Sequence, residues 1–207
     1  MALNAALLGY GAVRLRHRVL FRVRAWRDIP FETGTQYAEL AQQRFTGWTP
    51  ARVALVGDSQ FELAPVGDLF GERIRNRGLK GATVADALHW IDAVLADRPE
   101  HVVVFLGTND AYYRFPMSST QAALETLFAR LGAAGCRVSV VSVPPLPGRD
   151  AAVAAVNAEL CRLTEQYGFG YVDLHAALAG TRWTDDGVHL DRGAYAVLGE
   201  LLRERVG

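Results

Sequence analysis

The chain has 207 residues and carries 22 basic and 22 acidic side chains. Half of it is apolar and 21% is charged, the balance of a globular protein with one well-filled core. Zero net charge argues against nucleic acid as a main partner, because phosphate binding calls for a basic surface.

The first segment, MALNAALLGYGAV, is apolar for 13 residues. It has no basic residue ahead of it and no small-residue cleavage site behind it, so it makes a poor signal peptide, and a cytoplasmic location is expected. No stretch is long enough to cross a bilayer. The next stretch, RLRHRVLFRVRAWRD, places six arginines between Arg14 and Arg27, with no acidic residue before Asp28. The rest of the chain then carries 16 basic and 22 acidic residues. Leu8, Ala12, Leu15, Val19, Val23 and Trp26 share one face of a helix. Two readings stay open for this basic amphipathic helix. It packs on the domain and shows its arginines to water, or residues 1–28 make peripheral contact with an anionic membrane. Residues 1–50 read as an N-terminal helical extension, and 51–207 as the main domain.

From residue 52 short apolar runs alternate with longer helical ones. Strands are expected at 52–56, 74–78, 101–106, 138–143 and 170–172. Helices are expected at about 61–75, 83–97, 118–134, 150–167 and 191–206. Ser118 or Ser119 is expected to cap the third of these. Continuous apolar strands such as HVVVFL fit burial on both faces. The pattern predicts a three-layer α/β/α domain on a parallel sheet with right-handed crossovers. Cys136 and Cys161 match no metal-ligand spacing and read as a reduced, buried pair.

Polar clusters fall where such sheets place their active groups, beyond the carboxyl ends of strands. Gly57-Asp58-Ser59 follows the first strand, Gly78 ends the second, and Gly107-Thr108-Asn109-Asp110 follows the third. Asp186-Gly187-Val188-His189 precedes the last helix. A serine hydroxyl needs a neighbouring base, most often histidine, and the imidazole needs a carboxylate to hold its tautomer. Asp186 and His189, three apart, can form that pair locally. Acyl transfer also needs donors for the developing oxyanion. The Ser59 and Gly78 amides and the Asn109 side chain are the candidates. Each block alone reads more simply as a turn or a cap; the joint pattern does not.

Taken together and in this order, the four blocks resemble the SGNH hydrolases, the GDSL esterase/lipase superfamily. NRGLKGAT and GTND are most similar to its acetylhydrolase-like branch, which includes platelet-activating-factor acetylhydrolase subunits. The resemblance covers about residues 52–206. It implies a flavodoxin-like sheet and ester hydrolysis through an acyl-serine, acetate being the expected acyl group. Ser59 would be the nucleophile, His189 the base and Asp186 its orienter, with Ser59, Gly78 and Asn109 forming the oxyanion hole. The expected partner is a small-molecule ester, with no metal and no organic cofactor. Two other functions compete: a lysophospholipase- or thioesterase-type acylhydrolase at a membrane surface, and a non-catalytic flavodoxin-like binding module. The second gives no reason for an Asp186–His189 pair. Gln60 stands where the family usually has Leu or Ile, and residues 1–50 have no counterpart in its minimal domain.

Other residues stay outside the site. His89, His101 and His175 read as structural or surface groups. Asp58 and Asp110 read as turn and cap residues, and Asp173 as a loop anchor. Tyr112, Tyr113, Phe115 and Trp183 fit either a pocket wall or packing. Gly9-Tyr10-Gly11 follows no strand and is not a dinucleotide loop. The absence of a GxSxG elbow argues against the ordinary α/β-hydrolase fold.

Overall fold

A computed structural model describes residues 52–66 and 74–206, together with Glu39 and Ala41. The chain divides after Phe31, and all described residues belong to the unit Glu32–Gly207. The basic segment 1–28 lies outside the described residues. Among those described, no helix is long and apolar enough to cross a membrane.

Five strands form one parallel sheet: β1 (Val53–Gly57), β2 (Ile74–Gly78), β3 (His101–Phe105), β4 (Arg137–Val141) and β5 (Gly170–Val172). Their order is β2-β1-β3-β4-β5, the flavodoxin-like order expected. β1 and β3 are buried along their whole length. That is why their sequences are unbroken apolar runs: both faces are covered by helices. The β1–β2 and β1–β3 registers pair Gly57 with Gly78 and with Phe105. Those three residues therefore stand level at the carboxyl edge of the sheet.

The helices are α1 (Ser59–Glu62), α2 (Val84–Ala87), α3 (Ile91–Ala96), α4 (Thr108–Tyr113), α5 (Met117–Ala134), α6 (Asp150–Tyr167), α7 (Leu174–Leu178) and α8 (Arg192–Val206). The chain steps from β1 to β2 in one direction and from β2 to β3 in the other. Right-handed crossovers then put the helices on opposite faces of the sheet, giving three layers. The long α5 and α6 pack side by side. α5 seats Leu124, Leu127, Phe128 and Leu131 in the core, and α6 adds Val153, Val156, Leu160 and Leu163.

Four expectations need correction. The helix expected at about 61–75 is the four-residue α1, which ends at Glu62, and β2 already begins at Ile74. The helix at 83–97 is two short helices, broken at Leu88–Trp90, where Trp90 leaves helical geometry at φ −129°. Apolar spacing runs straight through the break, so periodicity reads one helix there. Neither Ser118 nor Ser119 caps α5. The cap position is Pro116, whose carbonyl accepts the Ser119 and Thr120 amides at 3.0 and 3.2 Å. Its ring-fixed φ of −54° already suits a helix entry. Cys136 and Cys161 are free thiols, as expected, but half-buried rather than buried.

His101 opens β3 inside the core, its Nε2 3.0 Å from Ser139 Oγ on β4. Burial, and then the charges of Arg137 and Arg205, lower its pKa from 6.5 to about 4. The folded protein thus holds His101 neutral in a range where the unfolded chain would protonate it. Stability from this residue is complete above about pH 6.5 and is lost as pH falls towards 4. Gln at position 101 does not titrate. Relative to wild type, His101→Gln should therefore gain roughly 1–3 kcal/mol between pH 6.5 and pH 4. Denaturant unfolding across that range checks this; a difference that does not change with pH would contradict it.

Candidate active site

The site begins where β1 ends. Gly57 has no room for a side chain, since a Cβ there would lie 2.8 Å from the Phe105 carbonyl oxygen. Asp58 then turns the chain and caps α1, its Oδ1 accepting the Gln60 N–H at 2.9 Å. The capping work falls on Asp58, so the Ser59 hydroxyl is left for another partner. That partner is His189: Nε2 lies 3.1 Å from Ser59 Oγ. Ser59 is the first residue of α1 and only 5% exposed.

His189 is held by its own loop. Asp186 Oδ1 accepts the Val188 and His189 amides at 2.9 and 2.8 Å, and Asp186 Oδ2 meets His189 Nδ1 at 2.6 Å. Partial burial pushes the Asp186 carboxyl up. Hydrogen bonds from the His189 ring and from the two amides outweigh that and hold its pKa well below the usual carboxylate range. An ionised Asp186 on Nδ1 requires the proton there, which leaves Nε2 as the acceptor facing the serine. The loop closes where the Asp191 amide donates to the Trp183 carbonyl at 2.9 Å.

Asn109 lies at the start of α4, after Gly107, whose φ of +104° suits glycine. Its Nδ2 donates to the Ala82 carbonyl at 2.8 Å. The second Nδ2 proton faces Asp58 Oδ2 at 3.4 Å, too long for a firm bond. Neighbouring Asp110 accepts the Val84 amide and the Thr120 hydroxyl, both at 3.1 Å. These bonds tie the loops after β2 and β3 to each other. Asp58 and Asp110 are fully buried, and burial lifts their pKa values to about 7 and about 6. Both do hold turns and caps, as expected.

Gly78 does not offer its amide. The Gly78 N–H donates to Asn76 Oδ1 at 2.9 Å. Gly78 is glycine for a packing reason: a Cβ would sit 2.5 Å from the Glu62 nitrogen. The glycine with an open amide is Gly81, at φ +79°. Among the described residues its N–H has no hydrogen-bond partner. It immediately precedes Ala82, whose carbonyl holds Asn109. NRGLKG contains both glycines, so the signal was present; spacing alone does not tell which amide is already engaged.

The remaining candidates sort themselves. Trp183 is buried and belongs to the core. Tyr112, Tyr113 and Phe115 form an edge-to-face row with centroids 5.0 and 6.5 Å apart. Asp173 caps α7 through the Ala176 amide. Among the described residues, no group of three or more His, Cys, Asp or Glu side chains is arranged to hold a metal.

Comparison with known proteins bears on the family and the fold. A model of the GDSL-like lipase/acylhydrolase family matches residues 33–197, which include all four blocks. No curated protein sequence matches the chain. Among solved structures, a GDSL-like lipase from Bacteroides thetaiotaomicron superposes with a TM-score of 0.71 at 20% identity, covering 84% of this chain and 98% of that one. The lipase/acylhydrolase from Enterococcus faecalis gives 0.63 at 24% identity, covering 75% and 95%. At such identities the likeness is one of fold.

The close approach of β2 to α1 is testable. Gly78→Ala should cost roughly 1–3 kcal/mol by overpacking, read as a lower denaturation midpoint with an unchanged slope. Unchanged stability would contradict that contact.

Proposed function

Because the chain belongs to the GDSL-like lipase/acylhydrolase family and is thus an ester-hydrolysing enzyme, we propose that it is a serine esterase for short-chain acyl esters, acetate above all. One observation carries this reading: the unbroken chain of contacts from Ser59 Oγ to His189 Nε2 at 3.1 Å and from His189 Nδ1 to Asp186 Oδ2 at 2.6 Å. The acetyl preference rests on the likeness of NRGLKGAT and GTND to acetylhydrolases.

Ser59 Oγ attacks the ester carbonyl while His189 Nε2 takes its proton. Charge collects on the carbonyl oxygen. The Ser59 amide and the loosely held Nδ2 proton of Asn109 receive it, and the Gly81 amide takes the place first expected of Gly78. The tetrahedral intermediate collapses, and His189 returns the proton to the leaving alcohol. Ser59 keeps the acyl group. Water then attacks the acyl-serine, again losing its proton to His189, and the acid leaves as Ser59 recovers that proton. Asp186 stays ionised throughout and stabilises the imidazolium that forms twice per cycle.

Turnover of p-nitrophenyl acetate, butyrate and octanoate tests the reading. Ser59→Ala and His189→Ala should each lower kcat more than about 10³-fold, and Asn109→Ala by ~10²–10³. Acetate should give the highest kcat/KM. Full activity in a folded Ser59→Ala protein would reject the acyl-serine route, and preference for octanoate would reject the short-chain assignment.

A further inference from the structure

Gln60 follows the serine and is completely buried. A buried amide must find partners, and this one finds them in another part of the chain. Gln60 Nε2 donates to the Val188 carbonyl at 2.7 Å, and Gln60 Oε1 accepts the Leu190 amide at 3.2 Å. The two partners flank His189. The assignment of oxygen and nitrogen is forced, since the flipped amide would set donor against donor and acceptor against acceptor. The backbone of Gln60 is anchored as well: Asp58 accepts its N–H, and the Tyr195 hydroxyl donates to its carbonyl at 2.7 Å.

We infer that Gln60 is a positioning residue for the base, clamping the main chain on both sides of His189 so that Nε2 stays within reach of Ser59. The inference rests on the acyl-serine reading above. Asp186 shapes the His189 loop from within but cannot set its distance from α1. The Ser59–His189 bond cannot do so either, because the reaction breaks it each time the proton moves. Gln60 supplies two bonds that do not depend on the charge of His189. They hold the ring in place while it is an imidazolium and until it returns the proton. Displacements of about 1 Å at such a site cost up to about 10² in rate.

Two substitutions separate positioning from packing. Gln60→Met keeps length and apolar bulk but loses both bonds. Gln60→Glu changes one atom: ionised, it repels the Val188 carbonyl; protonated, it can again donate to Val188 and accept from Leu190. The titratable groups around position 60 are Asp58 at its amide, Tyr195 at its carbonyl, and the Asp186–His189 pair across the loop. All of them are common to wild type and variants, so rates are read as variant-to-wild-type ratios.

With p-nitrophenyl acetate, Gln60→Met should lower kcat about 10- to 100-fold, with KM changed less than about twofold and a flat ratio against pH. For Gln60→Glu, the kcat ratio should climb as pH falls from about 9 to about 6, as its buried carboxyl takes up a proton. A folded Gln60→Met enzyme with wild-type kcat overturns the role, even if its Tm is lower, because packing alone then explains the residue. If Gln60→Met does not fold, Gln60→Glu decides, and a ratio that does not vary with pH overturns the role. Ser59→Ala run beside them separates the two claims. Turnover surviving in that variant removes the acyl-serine reading and the clamp with it. Turnover lost there but intact in Gln60→Met removes only the clamp.

Discussion

Ser59 and His189 are 130 residues apart in sequence and 3.1 Å apart in space. A neutral hydrogen bond contributes only about 1 kcal/mol and cannot by itself close so long a loop. The closure comes from the sheet. The β1–β3 pairing fixes where α1 begins, and Tyr195 on α8 bonds the Gln60 carbonyl. The Asp186–His189 loop enters α8 through Asp191, whose side chain accepts the Ala194 amide at 2.8 Å. The helix that carries Ser59 and the loop that carries His189 are thus both pinned before their side chains meet. That order matters for catalysis, where groups set in advance do not have to be reorganised during reaction.

A second consequence concerns buried charge. Asp58, Asp86 and Asp110 all lie in the core beneath the strand-end loops. Burying a carboxylate is costly unless it is hydrogen-bonded. Each has such bonds: Asp58 with the Gln60 amide, Asp86 with the amide and hydroxyl of Thr83, Asp110 with Val84 and Thr120. With these carboxylates holding the turns, the Ser59 hydroxyl is left to face His189 and the Gly81 amide stays open among the described residues. The raised pKa values of Asp58 and Asp110 are what that environment costs.

Much of this was legible in the sequence, for identifiable reasons. HVVVF reads as a strand because it is buried on both faces, and α6 falls at its expected boundaries because its apolar spacing is regular. That Asp186 would meet His189 was legible because the two sit three apart in one compact block. Other readings miss contacts that spacing does not mark. The Gly78 amide is engaged by the Asn76 side chain two residues before it, whereas the Gly81 amide is not engaged among the described residues. Gln60 read as a matter of pocket shape, since nothing local reveals partners at Val188 and Leu190. The short α4 and α7 carry too few residues for a periodic signal.

The central claim is that the hydroxyl of Ser59, activated by His189, is the reacting nucleophile. Reaction with a fluorophosphonate, followed by peptide mapping of the modified protein, tests it most directly, because this reagent captures activated serines and ignores capping ones. The account predicts a single modification, on the peptide containing Ser59, at a rate that collapses in His189→Ala. Modification at another serine, or none while ester turnover continues, would contradict it.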